Sequence, residues 1–381
     1  MILSSLFLSH FRSYKKRTFT LHPSLTVIVG PNAIGKTNIL EAIMMCAVGK
    51  SFRADREQEV ISFGEELSRI SSEGIFGNDV EKLEIVITRG IVSGQKAPMK
   101  KFLVNGVPRR LLDFAGNVKA VRFWPQDLEL ITDGPSIRRK YLDSVLVQVD
   151  REYRRNLMSY ERGLRQRNRL LFLISEGKAQ RNQLLFWNQL LVKAGGYITD
   201  ARAAFLSYVN DHQIQSVDHK TIYDKSVISE HRLEQYAMEE VASHTTLIGP
   251  HRDDFSVAIS HSPFALSFGG TQQPLAISYQ LSVNSNLEGQ YKDVHAYGSR
   301  GEQRLAVLWM KLAELSFVHE KTHDRPILLL DDIFSELDSD HRELVLSLID
   351  RQQTVITSAE EDIMKIVGKR EHEVIRLVSS S

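Results

Sequence analysis

Residues Gly30-Pro-Asn-Ala-Ile-Gly35-Lys36-Thr37 constrain this 381-residue chain more than any other segment. They match G-x-x-x-x-G-K-[ST]. The apolar run Leu25–Val29 before them reads as a strand, and Asn38 to Val48 after them reads as a helix. A glycine-rich corner in that context lets successive backbone N–H groups converge on phosphate oxygens, and the helix N-terminus adds partial positive charge. The stretch Gly30, Pro31, Asn32, Ala33, Ile34, Gly35, Lys36, Thr37 and Asn38 is therefore expected to bind ATP. Lys36 neutralises the β- and γ-phosphates, and the Thr37 hydroxyl ligates Mg2+.

The other half of a phosphoryl-transfer site lies near the far end. Ile327-Leu-Leu-Leu-Asp331-Asp332 is an apolar strand closing on two carboxylates. Carboxylates at a buried strand end cost free energy unless a cation or a donor compensates them. Asp331 is expected to hold the metal, and Asp332 to orient or activate the attacking water. Taken alone, the pair also suits a strand-ending turn or a helix cap.

Composition narrows the class. The chain is 42% hydrophobic and 25% charged, which excludes a mainly disordered protein. The formal charge is only +1, so a nucleic-acid surface has to be local. It is found in the middle: residues 138–195 hold 13 Lys and Arg against 5 Asp and Glu. There Tyr153, Leu157, Tyr160, Leu164, Leu171 and Ile174 recur at helical spacing, with arginines mostly on the other faces. The single cysteine, Cys46, excludes an intramolecular disulfide and fits a reduced, cytoplasmic setting. No targeting or membrane-spanning segment is expected, since the N-terminus is apolar first and basic later.

Further motifs take their meaning from their order. Ser299-Arg-Gly301 opens an apolar helix one element before the Asp331 strand, and Ser335-Glu-Leu-Asp338 follows it. Gln126 lies in Trp124-Pro-Gln126-Asp127, and Thr357–Ser358 ends the next strand. This order resembles the ABC-type ATPase head, with Gln126 as the Q-loop residue that senses the γ-phosphate and metal. Ser299 and Gly301 would be its signature motif and Ser335–Asp338 its D-loop. Thr357–Ser358 stand at the switch position, where transporters carry histidine. In that class two heads sandwich two ATPs, each P-loop facing the other subunit's signature serine, which implies an ATP-dependent homodimer.

The resemblance extends to one family. His10-Phe-Arg12-Ser-Tyr14, Ser51-Phe52-Arg53, Gly134-Pro-Ser136-Ile-Arg138-Arg139 and Ile248-Gly249-Pro250-His251-Arg252-Asp253-Asp254 resemble segments of the RecF family. The helical stretch Tyr160-Glu-Arg-Gly-Leu-Arg165-Gln166-Arg167-Asn168 is similar to its arm. Four features depart from its usual pattern: Ala33, Gln126, the pair Arg300 and Glu302, and roughly 25 extra residues before Ser299.

The resemblance implies an α/β fold, an ABC-type head of SMC kind with an inserted helical arm. The head would comprise residues 1–135 and 245–381, the arm residues 136–244. It implies a weak, DNA-stimulated ATPase of recombinational repair and replication-gap processing. ATP drives dimerisation, the dimer clamps double-stranded DNA or single/double-strand junctions, and slow hydrolysis releases it. With RecR- and RecO-type mediators it helps load RecA. Arg12 is expected at the nucleotide, with Arg53 a further candidate, and Arg151, Arg154, Arg155, Arg162 and Arg165 at DNA phosphates. Arg252 with Asp253 and Asp254 is expected to form an internal ion-pair network. Rival readings are an SMC-like ATPase of phage defence, a P-loop kinase and a transporter subunit. The Ser299 motif and basic arm disfavour the kinase; the helical insertion and absent switch histidine disfavour the transporter.

Overall fold

The computed structural model describes residues 1–76, 79–213, 218–260, 291–335, 339–360 and 362–378. The strand signals near 263–282, the extra segment before Ser299 and residues 336–338 of the D-loop motif lie wholly or mainly outside them.

The chain opens with β1 (Ile2–Phe11), β2 (Tyr14–Thr20) and β3 (Leu25–Val29) before helix α1 (Lys36–Val48). Strands β4 (Leu67–Phe76) and β5 (Asp79–Thr88) follow, then a small ribbon, β6 (Ile91–Val92) with β7 (Gln95–Lys96). β8 (Lys100–Val104) and β9 (Val107–Arg109) form a hairpin. Its turn residues Asn105 and Gly106 have φ of 52° and 77°, the left-handed pair that a two-residue turn requires. α2 (Leu111–Phe114), β10 (Ala120–Phe123) and α3 (Glu129–Thr132) lead into the helical region. That region comprises α4 (Pro135–Val149), α5 (Arg151–Ser175), α6 (Leu185–Asp211), β11 (His219–Asp224), α7 (Glu230–Gln235) and α8 (Ala237–Ser243). The chain closes with β12 (Asp254–Ser260), β13 (Tyr291–Asp293), α9 (Val294–Tyr297), α10 (Arg300–Thr322), β14 (Ile327–Asp331), α11 (Ser339–Ile349), β15 (Thr354–Ser358), α12 (Ile363–Val367) and β16 (Glu373–Arg376).

Two sheets enclose α1. One is antiparallel, in the order β2-β1-β4-β5-β8-β9; the other is parallel, in the order β10-β14-β15-β3-β16. Ile39, Leu40, Ile43, Met44, Met45 and Cys46 are all buried between them, because a helix apolar on every side has to be covered on every side. The parallel strands are buried on both faces. Along β14, Ile327 and Leu329 face the α1 core, whereas Leu328 and Leu330 face a second core that includes α10 and the base of α5 and α6. Each fully buried leucine there contributes on the order of 2 kcal/mol.

The second core continues from the parallel sheet through Tyr141 and Leu142 of α4 into Tyr153, Tyr160, Leu191 and Ile198 of the α5–α6 pair. A buried polar clasp reinforces this junction. Arg202 donates to Asp143 at 2.8 Å, to Asp253 at 3.2 Å and to the Pro250 carbonyl at 2.7 Å. Arg138 holds Asp254 bidentately at 2.6 and 2.8 Å. The expected ion-pair network around Asp253 and Asp254 thus exists, with a correction: its cations are Arg202 and Arg138, and Arg252 is exposed. Asp254, the first residue of β12, meets Arg138 of α4, and Asp253, just before the strand, meets Arg202 of α6, a pairing that only the fold could reveal.

Candidate nucleotide site

The parallel strands β3, β14 and β10 deliver three loops to one end of the sheet, where open α/β sheets place ligands. The loops enclose a cleft of about 450 Å³ lined by Asn32, Ala33, Gly35, Lys36, Thr37, Asn38, Arg53, Pro125, Gln126, Asp331 and Asp332. Residues 32 to 332 of the chain meet here because β14 and β3 are separated only by β15.

The loop after β3 is bent by two left-handed residues, Ala33 at φ 65° and Gly35 at φ 108°. Gly35 has no alternative: a Cβ there would lie 2.8 Å from the Ser13 Oγ and 3.0 Å from the Tyr14 hydroxyl. Those two side chains brace the loop. Tyr14 donates to the Gly35 carbonyl at 3.1 Å, and Asn38 donates to Ser13 at 3.1 Å. Lys36 is nearly buried and its ammonium donates to the Gly30 and Pro31 carbonyls at 2.7 and 3.0 Å. Burial lowers its pKa, while Asp332 and Asp331 oppose the shift. Gly30 and Pro31 thus act through their carbonyls, and Ile34 packs against the α1 core rather than lining the cleft.

β15 staples the two walls together. The Ser358 carbonyl accepts from Gly30 N at 3.3 Å, and the Thr357 carbonyl accepts from Asp332 N at 3.1 Å. The Thr357 hydroxyl donates to the buried Asp331 carboxylate at 2.6 Å. Gln126 is exposed at the rim. Its turn is fixed by Asp127, which accepts from Trp124 N at 3.0 Å and pairs with Arg122 at 3.3 Å. Arg122 in turn packs over the rings of both Phe52 and Trp124, 3.7 and 4.0 Å from their centroids.

Arg12 does not reach the cleft. It pairs bidentately with the fully buried Glu41, at 2.5 and 2.9 Å, and Arg53 takes the cleft position instead. Glu41 escaped notice in the sequence although its signal was present: a lone carboxylate in the apolar run of α1. Ser299 and Gly301 lie outside the cleft, exposed at the start of α10. Ser299 caps that helix, accepting from Glu302 N at 3.3 Å while Glu302 accepts from Ser299 N at 2.7 Å.

On α5, Arg151, Arg155, Arg162 and Arg165 are exposed and fall within an arc of about 80° at 100° per residue. Arg151 pairs with Asp113 and Arg155 with Glu152, whereas Arg162 and Arg165 make no ion pair among the described residues. Arg154 departs from the expected stripe. Its guanidinium donates to the Val147 carbonyl at 2.5 Å, turned into the base of the arm.

ATP and Mg2+ fit this cleft on chemical grounds. Hard oxygen donors from Thr37, Gln126 and Asp331 share it with the Lys36 ammonium and the start of α1, which carries no side-chain cap and no acidic residue in its first turn.

The RecF/RecN/SMC N terminal domain family matches residues 2–379. The protein called DNA replication and repair protein RecF of Lachnoclostridium phytofermentans is 34% identical over 94% of this chain and 92% of its own length. That of Moorella thermoacetica is 34% identical over 95% and 91%. The chain belongs to the RecF family. A solved structure described as the recombination mediator protein RecF with ATPrS in the RecFOR pathway is 28% identical, with a TM-score of 0.79 over 98% of this chain and 95% of that one. The Smc head domain of Pyrococcus yayanosii, 14% identical with a TM-score of 0.50, shares the fold alone. The RecF architecture is thus the expected α/β ABC-type ATPase head. No helix among the described residues is long and apolar enough to cross a membrane.

Proposed function

We propose that this chain is an ATP-dependent DNA-binding protein of cytoplasmic recombinational repair and replication-gap processing. Its ATP-bound homodimer clamps double-stranded DNA or single/double-strand junctions. Slow, DNA-stimulated hydrolysis releases the clamp, and with RecR- and RecO-type mediators the cycle helps load RecA. The carrying observation is the division of the site. The cleft gathers Lys36, Thr37, Gln126, Asp331 and Asp332, while Ser299 and Gly301 stand exposed outside it. A second copy would present those two residues to the γ-phosphate across the dimer.

Within each cleft, the loop from Gly30 to Asn38 cradles the phosphates, with Gly30 and Pro31 holding Lys36 through their carbonyls, and Lys36 pairs with the β- and γ-oxygens. Thr37, Asp331 and Gln126 hold Mg2+, which when bound neutralises the charge developing on the phosphates. Asp332 orients the attacking water. Arg53, at the cleft wall, adds a phosphate contact. The head then comprises residues 1–135 and 245–381, and residues 136–244 form the arm whose arginine stripe meets DNA. The relatives' names and the RecFOR structure support the pathway.

Light scattering with and without ATP tests the reading. Ser299→Ala should bind ATP as a monomer yet fail to dimerise. Losing the cap costs only about 1 kcal/mol, so the fold persists. Dimerisation of this variant with ATP would overturn the trans arrangement.

A further inference from the structure

Glu41 is a fully buried carboxylate with three ligating side chains. Arg12 holds it bidentately, and the Ser51 hydroxyl donates to its Oε1 at 2.5 Å. The Arg53 guanidinium lies 3.6 Å from its Oε2. Ser51 is itself a relay, since its Oγ accepts from the amides of Arg53 at 3.0 Å and Ala54 at 2.9 Å. Glu41 therefore reaches Arg53 by two routes, one through space and one through the backbone of the loop that carries it. Arg53 also donates to Asn38 at 3.0 Å, on the first turn of the helix that bears the phosphate loop.

The two arginines are unequally held. Arg12 is locked by short paired bonds and a third to the Glu59 carbonyl at 3.1 Å. Arg53 is loosely paired, 37% exposed along its side chain, and faces the cleft. One carboxylate cannot balance two guanidiniums, so the cluster carries a surplus positive charge. The loosely held arginine is the one free to bring that charge to an anion.

We infer that Glu41 is a positioning residue of the nucleotide site: it anchors Arg12 as a strut and, through Ser51, aims Arg53 at the phosphates of bound ATP. This rests on reading the cleft as the ATP site. A buried carboxylate that only offset Arg12 would not need the Ser51 relay.

Double-mutant cycles test it with a fluorescent ATP analogue and a parallel thermal melt. Arg53→Ala should weaken ATP binding about tenfold, the size of one charge-assisted contact, with an unchanged melting temperature. Ser51→Ala and Glu41→Gln should each weaken it several-fold. In the Arg53→Ala background neither should cost anything further, because their effect runs through Arg53. Losses that multiply, or an unchanged affinity in Ser51→Ala, would overturn the inference. Ser51→Ala keeps the test decisive should Glu41→Gln fail to fold. Lys36→Ala separates the two readings. If it weakens binding strongly while the cycle shows no coupling, Glu41 alone is misassigned; if it leaves binding intact, the cleft itself is.

Discussion

The Thr357 hydroxyl donates a 2.6 Å hydrogen bond to the Asp331 carboxylate, joining the ends of adjacent parallel strands at the floor of the cleft. The acceptor is buried, so losing its donor leaves a desolvated carboxylate. Thr357→Val should cost about 1–3 kcal/mol in the nucleotide-free protein. On the proposed reading bound Mg-ATP would supply a compensating cation, so the deficit should shrink in its presence. Thermal melts with and without Mg-ATP check this; equal losses in both states would contradict it.

Lys36 is held on carbonyl oxygens in a nearly buried position, and burial depresses its pKa below 10.5. Only the ammonium form can pair with phosphate. ATP affinity should therefore fall on raising pH earlier than an ordinary lysine would allow. Lys36→Arg, which does not titrate in that range, should show a flat profile. Lys36→Ala should lose about 10- to 100-fold at neutral pH. Nucleotide titrations from pH 7 upward supply the comparison.

On the proposed reading, the exposed stripe on α5 would meet DNA phosphates without reading sequence. Affinity for duplex DNA should fall steeply with salt, and Arg162→Ala or Arg165→Ala should each reduce the log–log slope by about one. Arg154→Ala should leave the slope unchanged and lower the melting temperature, because that guanidinium is spent on the Val147 carbonyl. A flat salt dependence in the wild type would remove the stripe from the DNA surface.

His251 links α5 to the segment before β12 as a neutral ring. Its Nδ1 lies 2.7 Å from the Tyr160 hydroxyl and its Nε2 lies 3.0 Å from the Thr246 carbonyl. The Thr246 carbonyl can only accept, so the proton sits on Nε2 and Nδ1 accepts from the Tyr160 hydroxyl. Burial lowers the pKa from 6.5 to about 4. Above pH 6.5 both folded and unfolded chains carry the neutral ring and stability is unaffected. Between about 6.5 and about 4 the unfolded chain takes up a proton that the fold refuses, so stability falls as pH falls. The loss at pH 5 is about 2 kcal/mol. Urea titrations at pH 7 and pH 5 should show it, and His251→Gln should lose less than the wild type over that interval.

Much of the site was legible in the chain itself. The strand, glycine loop and helix at Gly30–Thr37, and the apolar strand ending in Asp331, depend on local backbone requirements and short-range periodicity, which residues carry individually. The spacing of Ser299 before that strand was readable for the same reason. The arginine stripe was legible as helical phase, except at Arg154, whose direction depends on a carbonyl four residues before its own helix starts.

Partnership is what the tertiary structure alone decided. Asp253 pairs with Arg202 and Arg139 approaches its carbonyl, although Arg252 is its neighbour in sequence. Arg12, expected at the phosphates, is bound to Glu41, and Arg53 faces the cleft instead. A charged side chain settles where desolvation is best repaid by an opposite charge, and that choice is made among residues brought together only by packing. Local pattern determined which elements form and which chemistry they carry; the order β10-β14-β15-β3-β16 determined which of those groups meet.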